Sequence, residues 1–242
     1  MSAQSKKVVV VTGAGRGLGL AISQSLVSEG YYVVGIGRNE TNDFLSLPAE
    51  SRQFVVFDLR DLEGIKVLVS DVVERFGGAP FALVNNSGIG SDGVLATQHE
   101  ADISEVLTVN LEAPILLSKY LARQMLRKRE GRIVNISSII ARTGFKGLAV
   151  YGASKAGLEG FTRSFSREVG KAGITVNCVA PGYMRTDMTG DLTGSKLESV
   201  ERRAPLGLPE PDDAASAVVY LLGSGATKIT GTVLTVDGGS TA

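Results

Sequence analysis

Short apolar runs alternate with amphipathic segments along the whole of this 242-residue chain. The first run contains four consecutive valines at residues 8–11, and such runs are typical of strands that are buried on both faces. The amphipathic segments carry their apolar residues at helical spacing. Strands that alternate with helices over the full length predict a parallel sheet with helices on both faces. We therefore expect an α/β, doubly wound fold in one domain that spans residues 1–242.

Seven strands and five helices are predicted in this Rossmann-like arrangement. The strands are expected at residues 8–11, 31–36, 54–57, 81–84, 132–136, 174–179 and 232–236. The helices are expected at residues 18–28, 62–76, 103–129, 151–171 and 212–222. Residues 182–211 mix glycine, proline and charges, and ligands in such sheets bind outside the carboxyl ends of the strands. This stretch is therefore predicted to be a substrate flap, with a plain surface loop as the alternative.

Charge and cysteine content exclude several classes of function. The 25 lysines and arginines balance 25 aspartates and glutamates, which argues against a protein that binds nucleic acid by neutralising phosphates. With Cys178 as the one cysteine and His99 as the one histidine, no intrachain disulfide and no Cys/His zinc site can form. We expect a buried Cys178, a solvated His99 and no metal. No signal peptide or membrane span is visible, so a cytoplasmic protein that does not bind membranes is expected.

A glycine-rich turn joins the first strand to the first helix. Its glycines, Gly13, Gly15, Gly17 and Gly19, would let the backbone approach a pyrophosphate, and the helix N-terminus offers free N–H groups. The generic G-x-G-x-x-G spacing is absent, since the sixth position counted from Gly13 is Leu18. A turn that serves only helix–strand packing is the alternative. The position of the turn within an alternating fold favours a nucleotide site.

The end of the second strand indicates which dinucleotide would bind. An acidic residue there would accept hydrogen bonds from the ribose hydroxyls of NAD, but the chain has Arg38, which can pair with the 2′-phosphate of NADP. Arg16 in the glycine turn offers a second cation, whereas Glu40, two residues after Arg38, complicates this interpretation. The charges predict NADP(H), with two plain surface arginines as the alternative.

Tyr151 and Lys155 lie four residues apart at the start of a predicted helix, so they share one helix face. A cation near a phenol lowers the phenol pKa from its usual value of about 10. That shift moves a tyrosine towards the range in which general acid–base catalysis is efficient. The pair is therefore a candidate proton donor with its tuning cation, although two residues on one helix face can also be a coincidence.

Taken together, these features resemble the short-chain dehydrogenase/reductase family over residues 7–239. Thr12 and three of the glycines match the family's Thr-Gly-x-x-x-Gly-x-Gly turn. Residues 85–88 are similar to its Asn-Asn-Ala-Gly element, with Ser87 where alanine is usual. The family's catalytic tetrad is matched in order and spacing by Asn110, Ser138, Tyr151 and Lys155.

The resemblance implies a role for each member of this tetrad. Tyr151 would protonate a carbonyl oxygen that receives a hydride, and Ser138 would hydrogen-bond the same oxygen. Lys155 would lower the pKa of Tyr151 and bind the nicotinamide ribose, and Asn110 would hold a water that resupplies protons. A helix cap at Ser138 and a surface position for Asn110 are the alternatives. Residues implied to bind the cofactor are Gly13, Gly15, Arg16, Gly17, Leu18, Gly19, Arg38, Asp58, Leu59, Asn86, Gly88, Tyr151, Lys155, Pro181, Gly182, Met184 and Thr186.

Three stretches, residues 133–138, 181–189 and 229–239, look most like the bacterial 3-oxoacyl-[acyl-carrier-protein] reductases. This resemblance implies NADPH-dependent reduction of a 3-oxo group on a carrier thioester, a step of fatty acid synthesis. The alternatives are a reductase or dehydrogenase of a free small ketone, sugar or secondary alcohol, and a non-enzymatic NADP sensor. Lys128, Arg129 and Lys171 are predicted to lie beside the cleft for an acidic carrier, or else to complement helix dipoles.

Two predicted helices carry more apolar surface than one sheet face needs, which argues against a monomer. The family resemblance implies a homotetramer paired through these helices. The apolar residues concerned are Ile115, Leu116, Leu117, Leu121, Leu158 and Phe161.

Overall fold

Seven strands form one parallel sheet, in a computed structural model that describes residues 6–185 and 194–242. The strands are β1 Val8–Thr12, β2 Tyr32–Gly37, β3 Arg52–Val56, β4 Ala82–Asn85, β5 Gly131–Ile136, β6 Ile174–Pro181 and β7 Val233–Val236. They are ordered β3-β2-β1-β4-β5-β6-β7 across the sheet. The predicted doubly wound fold is confirmed, and each predicted strand overlaps an observed one.

The helices lie on both faces of this sheet. They are α1 Gly17–Ser28, α2 Asn42–Leu45, α3 Ile65–Arg75, α4 Glu100–Leu107, α5 Ala113–Lys128, α6 Ile140–Thr143, α7 Ala149–Val169, α8 Ser195–Glu201 and α9 Pro211–Leu222. The helix predicted at residues 103–129 is confirmed in extent but is not regular, because a π-helical turn at Thr108–Glu112 divides it into α4 and α5. Pro114 lacks the N–H that an α-helix would direct at the Asn110 carbonyl, so the wider turn replaces the ordinary register.

The hydrophobic core forms two layers, one on each face of the sheet. Val9 and Val11 face the layer under α1 and α9, whereas Val10 faces the layer under α3 and α5. Since successive strand side chains point to opposite faces, a strand covered on both sides must be apolar at every position. This requirement explains the valine run in the sequence.

Several single-residue predictions can be compared with the structure. Cys178 is buried and His99 is exposed, as expected. The prediction that six apolar residues of the two helices are left uncovered by the sheet is partly wrong, because Leu117, Leu121 and Leu158 are all buried. Partial exposure remains for the other three residues of that set, Ile115, Leu116 and Phe161.

Two searches of the described residues return nothing. Within residues 6–185 and 194–242, no helix is both long and apolar enough to cross a membrane. Across the same two ranges, no three His, Cys, Asp or Glu side chains lie together as metal ligands would.

Phe44 in the short helix α2 was not predicted as a core residue, yet it is fully buried. Its ring centroid lies 5.0 Å from that of Phe54 in an edge-to-face contact. A methyl group on Gly35 would lie 2.7 Å from the Phe44 ring, so the glycine leaves the space that the ring fills. Phe44 thus fixes the loop that follows β2 against the sheet.

We expect Phe44→Ala to lower the free energy of unfolding by about 3–5 kcal/mol, because the substitution leaves a cavity where the ring was. Denaturant unfolding would measure this loss. The neighbouring variant Leu45→Ala is the matched control, since Leu45 is 40% exposed. Similar losses in the two variants would contradict the prediction.

Candidate active site

Four predicted catalytic residues meet at the carboxyl edge of the sheet. Ser138 follows β5, Asn110 lies in the π-helical turn, and α7 carries both Tyr151 and Lys155. The Ser138 side chain lies close enough to the Tyr151 phenol to lower its pKa, and the Lys155 Nζ lies 5.7 Å from the centre of the Tyr151 ring. Asn110 reaches the same helix, because its Nδ2 donates to the Ser154 Oγ at 3.2 Å. The structure therefore brings together side chains from three separate parts of the chain.

The Lys155 ammonium is buried at the end of β5. Its Nζ donates to the Ile136 carbonyl at 2.9 Å. Burial lowers the pKa of Lys155 to about 8, because a charged amine is disfavoured away from water. A methyl group on Gly88 would lie 3.3 Å from this Nζ and 3.5 Å from the Asn110 Oδ1. Gly88 thus leaves room for the lysine head group, a spatial role in addition to the predicted cofactor contact.

The Tyr151 phenol lies in the same buried environment. Burial raises its pKa, and the nearby Ser138 side chain lowers it only in part. This direction differs from the expectation that Lys155 would lower the Tyr151 pKa, because the loss of hydration outweighs the neighbouring groups. A raised pKa keeps the phenol protonated at neutral pH, which suits a proton donor.

Asn110 is fully buried, so the alternative of a surface residue is wrong. Its Oδ1 accepts from the Ile89 N–H at 2.8 Å and its Nδ2 donates to the Ile89 carbonyl at 2.9 Å. Together with its bond to Ser154, this amide ties the loop after β4 to α7. The water-holding role stays a prediction, since the side chain is engaged by protein groups.

The Ser138 hydroxyl makes a cap-like contact, and its catalytic role stays a prediction. Its Oγ accepts from the Ile140 N–H at 3.3 Å, which resembles a cap at the start of α6. A serine hydroxyl has two acceptor lone pairs and one proton to donate. The bond from Ile140 therefore leaves the hydroxyl able to hydrogen-bond a second group.

The glycine turn forms a cradle in front of α1. Gly13 and Gly17 have φ values of +66° and +51°, a region that disfavours other residues. A methyl group on Gly19 would lie 2.0 Å from the Gly13 carbonyl oxygen, so no side chain fits there. Beyond this cradle, the first N–H groups of α1 lack intrahelical partners and can bind an anion. These residues fit the pyrophosphate of a dinucleotide. Of the other residues predicted here, Arg16 is exposed immediately before α1, and Leu18 lies in the first turn of α1.

Thr12 and Asn86 hold this cradle against the end of β4. The Thr12 Oγ1 accepts from the N–H groups of Asn86 at 3.0 Å and Ser87 at 2.9 Å. The Asn86 Nδ2 donates to the carbonyls of Thr12 at 2.9 Å and Gly13 at 3.3 Å. Asn86, which was predicted to bind the cofactor, therefore also holds the glycine turn in place through its side chain. Thr12 is absent from the predicted site residues although it belongs to the matched motif.

Thr41 is a second support that was not predicted. Its Oγ1 donates to the Gly15 carbonyl at 2.6 Å and accepts from the Phe44 N–H at 3.2 Å. The hydroxyl thus caps α2 and holds the outer part of the glycine turn. Threonine is a preferred N-cap residue, so a search of the sequence for caps could have found Thr41.

The predicted adenosine side of the site contains a cluster of charges at the ends of β2 and β3. Arg38 is exposed and close enough to Asp58 to contribute to lowering its pKa. The main cause of that lowering is the hydrogen bond from Arg60, whose Nε lies 3.0 and 2.9 Å from the two carboxylate oxygens. Arg60, which was not predicted, also pairs with Glu105 on α4 at 3.3 Å. Leu59 is buried in the core, so only its backbone can face an adenine.

The predicted nicotinamide segment begins where β6 ends. The Pro181 carbonyl accepts from the Ile139 N–H at 3.1 Å, and the Gly182 N–H donates to the Val236 carbonyl at 2.8 Å. Met184 is buried against the core. Thr186 lies outside the described residues, as do all of residues 186–193. The helix α8 lies within the stretch predicted as a flap, and that flap stays a prediction.

The basic residues predicted beside the cleft lie elsewhere. The Lys128 Nζ donates to the Ala79 carbonyl, just before β4, and the Arg129 Nη2 donates to the Lys171 carbonyl, just before β6. Both contacts are at the amino ends of the strands, opposite the edge that carries Tyr151. The prediction is wrong for a single chain, because a helix that crosses a parallel sheet ends where the next strand begins.

Comparison with known proteins identifies the family. Residues 7–196 match a family model described as short chain dehydrogenase. The chain is 38% identical over 239 residues to the 3-oxoacyl-[acyl-carrier-protein] reductase FabG of Vibrio cholerae, with 96% of each chain covered. It is 39% identical over 236 residues to the protein of the same name from Haemophilus influenzae, with 96% of this chain and 97% of that one covered.

A solved structure is also similar over nearly the full length. It is a putative NAD(P) dependent gluconate 5-dehydrogenase from Beutenbergia cavernae, with bound NADP at low occupancy. The TM-score is 0.92 at 34% sequence identity, and 97% of this chain and 96% of that chain are covered.

The chain belongs to the short-chain dehydrogenase family. It is an NAD(P)-dependent oxidoreductase that acts on CH–OH and C=O groups. The predicted NADP(H) cofactor is confirmed by the family and by the NADP in the similar solved structure.

The buried Lys155 makes the stability of the cofactor-free protein depend on pH. The folded state releases the lysine proton near pH 8, whereas the unfolded chain keeps it to about pH 10.5. Between these values the unfolded state binds more protons, so the free energy of unfolding should rise with pH, by at most about 3 kcal/mol. Unfolding titrations from pH 7 to 11 would measure this rise against Lys155→Met, which lacks the titrating group. If the free energies of unfolding of the wild type and Lys155→Met differed by the same amount at every pH in this window, the prediction would be contradicted.

Proposed function

We propose that this enzyme is an NADPH-dependent reductase of the 3-oxo group of an acyl-carrier-protein thioester, acting in the cytoplasm in fatty acid synthesis. The observation that carries the reductase chemistry is the meeting of Ser138, Tyr151 and Lys155 beside the glycine cradle. The curated relatives named above favour the carrier-linked substrate. A non-enzymatic NADP sensor is disfavoured, because a protein that only binds the cofactor has no need of this set.

Tyr151, Ser138 and Lys155 would have different roles at the substrate oxygen. Bound NADPH supplies the hydride. Tyr151 donates a proton to the oxygen as negative charge grows there, which its raised pKa allows at neutral pH. Ser138 directs its hydroxyl to the same oxygen as a preorganised donor. Lys155 places a cation behind the phenol, where it stabilises the phenolate left after proton transfer.

Cofactor binding would use the glycine cradle for the pyrophosphate and the end of β2 for the adenosine. Arg38 lies at that end and is exposed. Within the described ranges, no hydrogen bond or ion pair engages Arg38, so its guanidinium is available for a 2′-phosphate. Arg16 stands at the cradle itself and provides a second positive charge. Asp58 does not oppose the phosphate strongly, since Arg60 neutralises its carboxylate.

The edge of the cleft favours an acyl chain. Val94 and Leu95 are 57% and 51% exposed on the segment after β4, and Phe145 is 46% exposed on the segment after β5. A backbone hydrogen bond of 3.0 Å from the Gly93 N–H to the Gly147 carbonyl joins these two segments. The side chains at this edge are thus suited to apolar groups.

Two exposed cations, Arg142 and Lys146, lie on the same edge as these apolar residues, within and just after α6. They are better placed for an acidic carrier protein than the basic residues at the amino edge. Electrostatic attraction of this kind mainly increases the rate of association and fixes orientation.

A reductase or dehydrogenase of a free ketone, sugar or secondary alcohol is the second candidate. It is favoured by the similarity to the solved structure of the putative gluconate 5-dehydrogenase. For either substrate we propose a homotetramer paired through the helices α5 and α7. The partly exposed residues Ile115, Leu116 and Phe161 on these helices support an interface.

A substrate panel tests the proposed activity. We expect NADPH oxidation with acetoacetyl-carrier thioester at a kcat/KM at least about tenfold above that with free small ketones, since the carrier adds contacts. Gluconate with NADP tests the second candidate in the oxidative direction. Tyr151→Phe is expected to remove activity on the preferred substrate while NADPH still binds. Absence of activity on the thioester would refute the carrier-linked proposal, and full activity of Tyr151→Phe would refute the reductase mechanism.

The preference for NADPH is tested separately at Arg38. We expect Arg38→Ala to raise the Kd of NADPH by about 10- to 100-fold, because hydrogen bonds to charged groups contribute about 1.5–3 kcal/mol. The Kd of NADH should change by less than about threefold, since NADH lacks the 2′-phosphate. Fluorescence titration measures both constants, with Arg75→Ala as a control at an exposed arginine on α3. Equal effects on the two cofactors would contradict this assignment.

A further inference from the structure

A buried glutamate continues the catalytic face of α7. Glu159 lies four residues after Lys155 and eight after Tyr151, so the three side chains follow one face of the helix. The Glu159 side chain is only 5% exposed. Burying a carboxylate is costly unless it is paired and hydrogen-bonded, so the contacts of this residue show what the charge does.

The Glu159 carboxylate holds three parts of the chain together. Its Oε1 accepts from the Ser137 Oγ at 3.0 Å. Its Oε2 lies 3.4 Å from the Arg142 Nε on α6 and 3.7 Å from the Arg163 Nη1 one turn further along α7. The two arginines are more than half exposed and compensate the charge from the solvent side, whereas Ser137 approaches from the interior.

The serine that Glu159 holds comes immediately before Ser138. On both sides of Ser138 the backbone is bonded to β6, through the Ser137 N–H to Val179 at 2.7 Å and the Ile139 N–H to Pro181 at 3.1 Å. These bonds fix the segment to the sheet but not to α7. Lys155 ties the preceding Ile136 carbonyl to α7, and the Ser137 Oγ lies 3.5 Å from the Lys155 carbonyl. The shorter bond from the Ser137 Oγ to Glu159 adds a link between side chains of this segment and α7, and Arg142 connects the following helix α6 to the same carboxylate.

We propose that Glu159 is a positioning residue that sets the place of the Ser138 hydroxyl relative to the Tyr151 phenol. In the proposed reaction both groups must reach one oxygen, and they belong to separate elements that the carboxylate joins. Glu159 acts through Ser137 and does not touch substrate or cofactor. The proposal rests on the reductase function proposed above.

The test compares kcat in two backgrounds. In the wild-type background, Glu159→Gln and Ser137→Ala should each lower kcat by about 10- to 100-fold, because small displacements of reacting groups have effects of this size. The Kd of NADPH should stay within about twofold, since the cradle is elsewhere. Glu168→Gln is the matched control, a glutamate on the same helix that is exposed. It should leave kcat unchanged.

A double-mutant cycle separates positioning from general structural support. In a Ser138→Ala background, Glu159→Gln should lower kcat by less than about threefold, because the group that it positions is gone. A full additional loss in that background would overturn the proposal, and so would unchanged kcat in both single variants. Glu159→Gln could melt at a markedly lower temperature than the wild type. In that case Ser137→Ala replaces it in the test, because in this variant the Glu159 carboxylate keeps its contacts with both arginines. Failure of the reductase proposal itself would be seen independently, as full activity of Tyr151→Phe.

Discussion

The buried ammonium of Lys155 is the charge around which the catalytic edge is arranged. A buried amine loses its hydration, which is why its pKa falls to about 8. The Ile136 carbonyl accepts from it, so the end of β5 must lie directly beneath α7. A methyl group on Gly88 would lie 3.3 Å from this Nζ, so the glycine leaves room for it, and the Asn110 amide borders the same space. The need to accommodate one charge thus constrains the end of a strand, a loop and the π-helical turn.

The face of α7 towards the sheet is held by polar contacts at successive turns. Lys155 bonds to the end of β5, and Glu159 bonds to Ser137 just beyond it. One turn further, the Thr162 Oγ1 accepts from the Asn135 Nδ2 at 2.8 Å within β5. Hydrogen bonds between buried polar groups have strict geometry, so they define one register of helix on sheet where apolar packing would tolerate several. This precision is what a pair such as Ser138 and Tyr151 requires.

The strands and the glycine turn could be predicted because their signals are local. The four proposed catalytic residues are spread over residues 110–155, and the family resemblance was needed to connect them. A run such as residues 8–11 needs no knowledge of distant neighbours, since burial on both faces demands apolar residues at every position. The π-helical turn was missed although Pro114 was visible, because apolar spacing continues across it. Leu117, Leu121 and Leu158 were expected to contribute surface for an interface, but helical periodicity does not show which apolar positions the sheet covers.

The amino-acid sequence by itself determined the alternating fold, the nucleotide cradle and the identity of the residues that meet at the catalytic edge. The tertiary structure decided their electrostatics. Tyr151 has a raised pKa because of burial by the surrounding chain, and Asp58 is engaged by Arg60, which in turn reaches Glu105 on α4. The tertiary structure also placed Lys128 and Arg129 at the amino ends of the strands, opposite the edge that carries Tyr151. Desolvation and charge pairing depend on distances through space between residues far apart in the chain, and only the folded arrangement of strands and crossovers sets those distances.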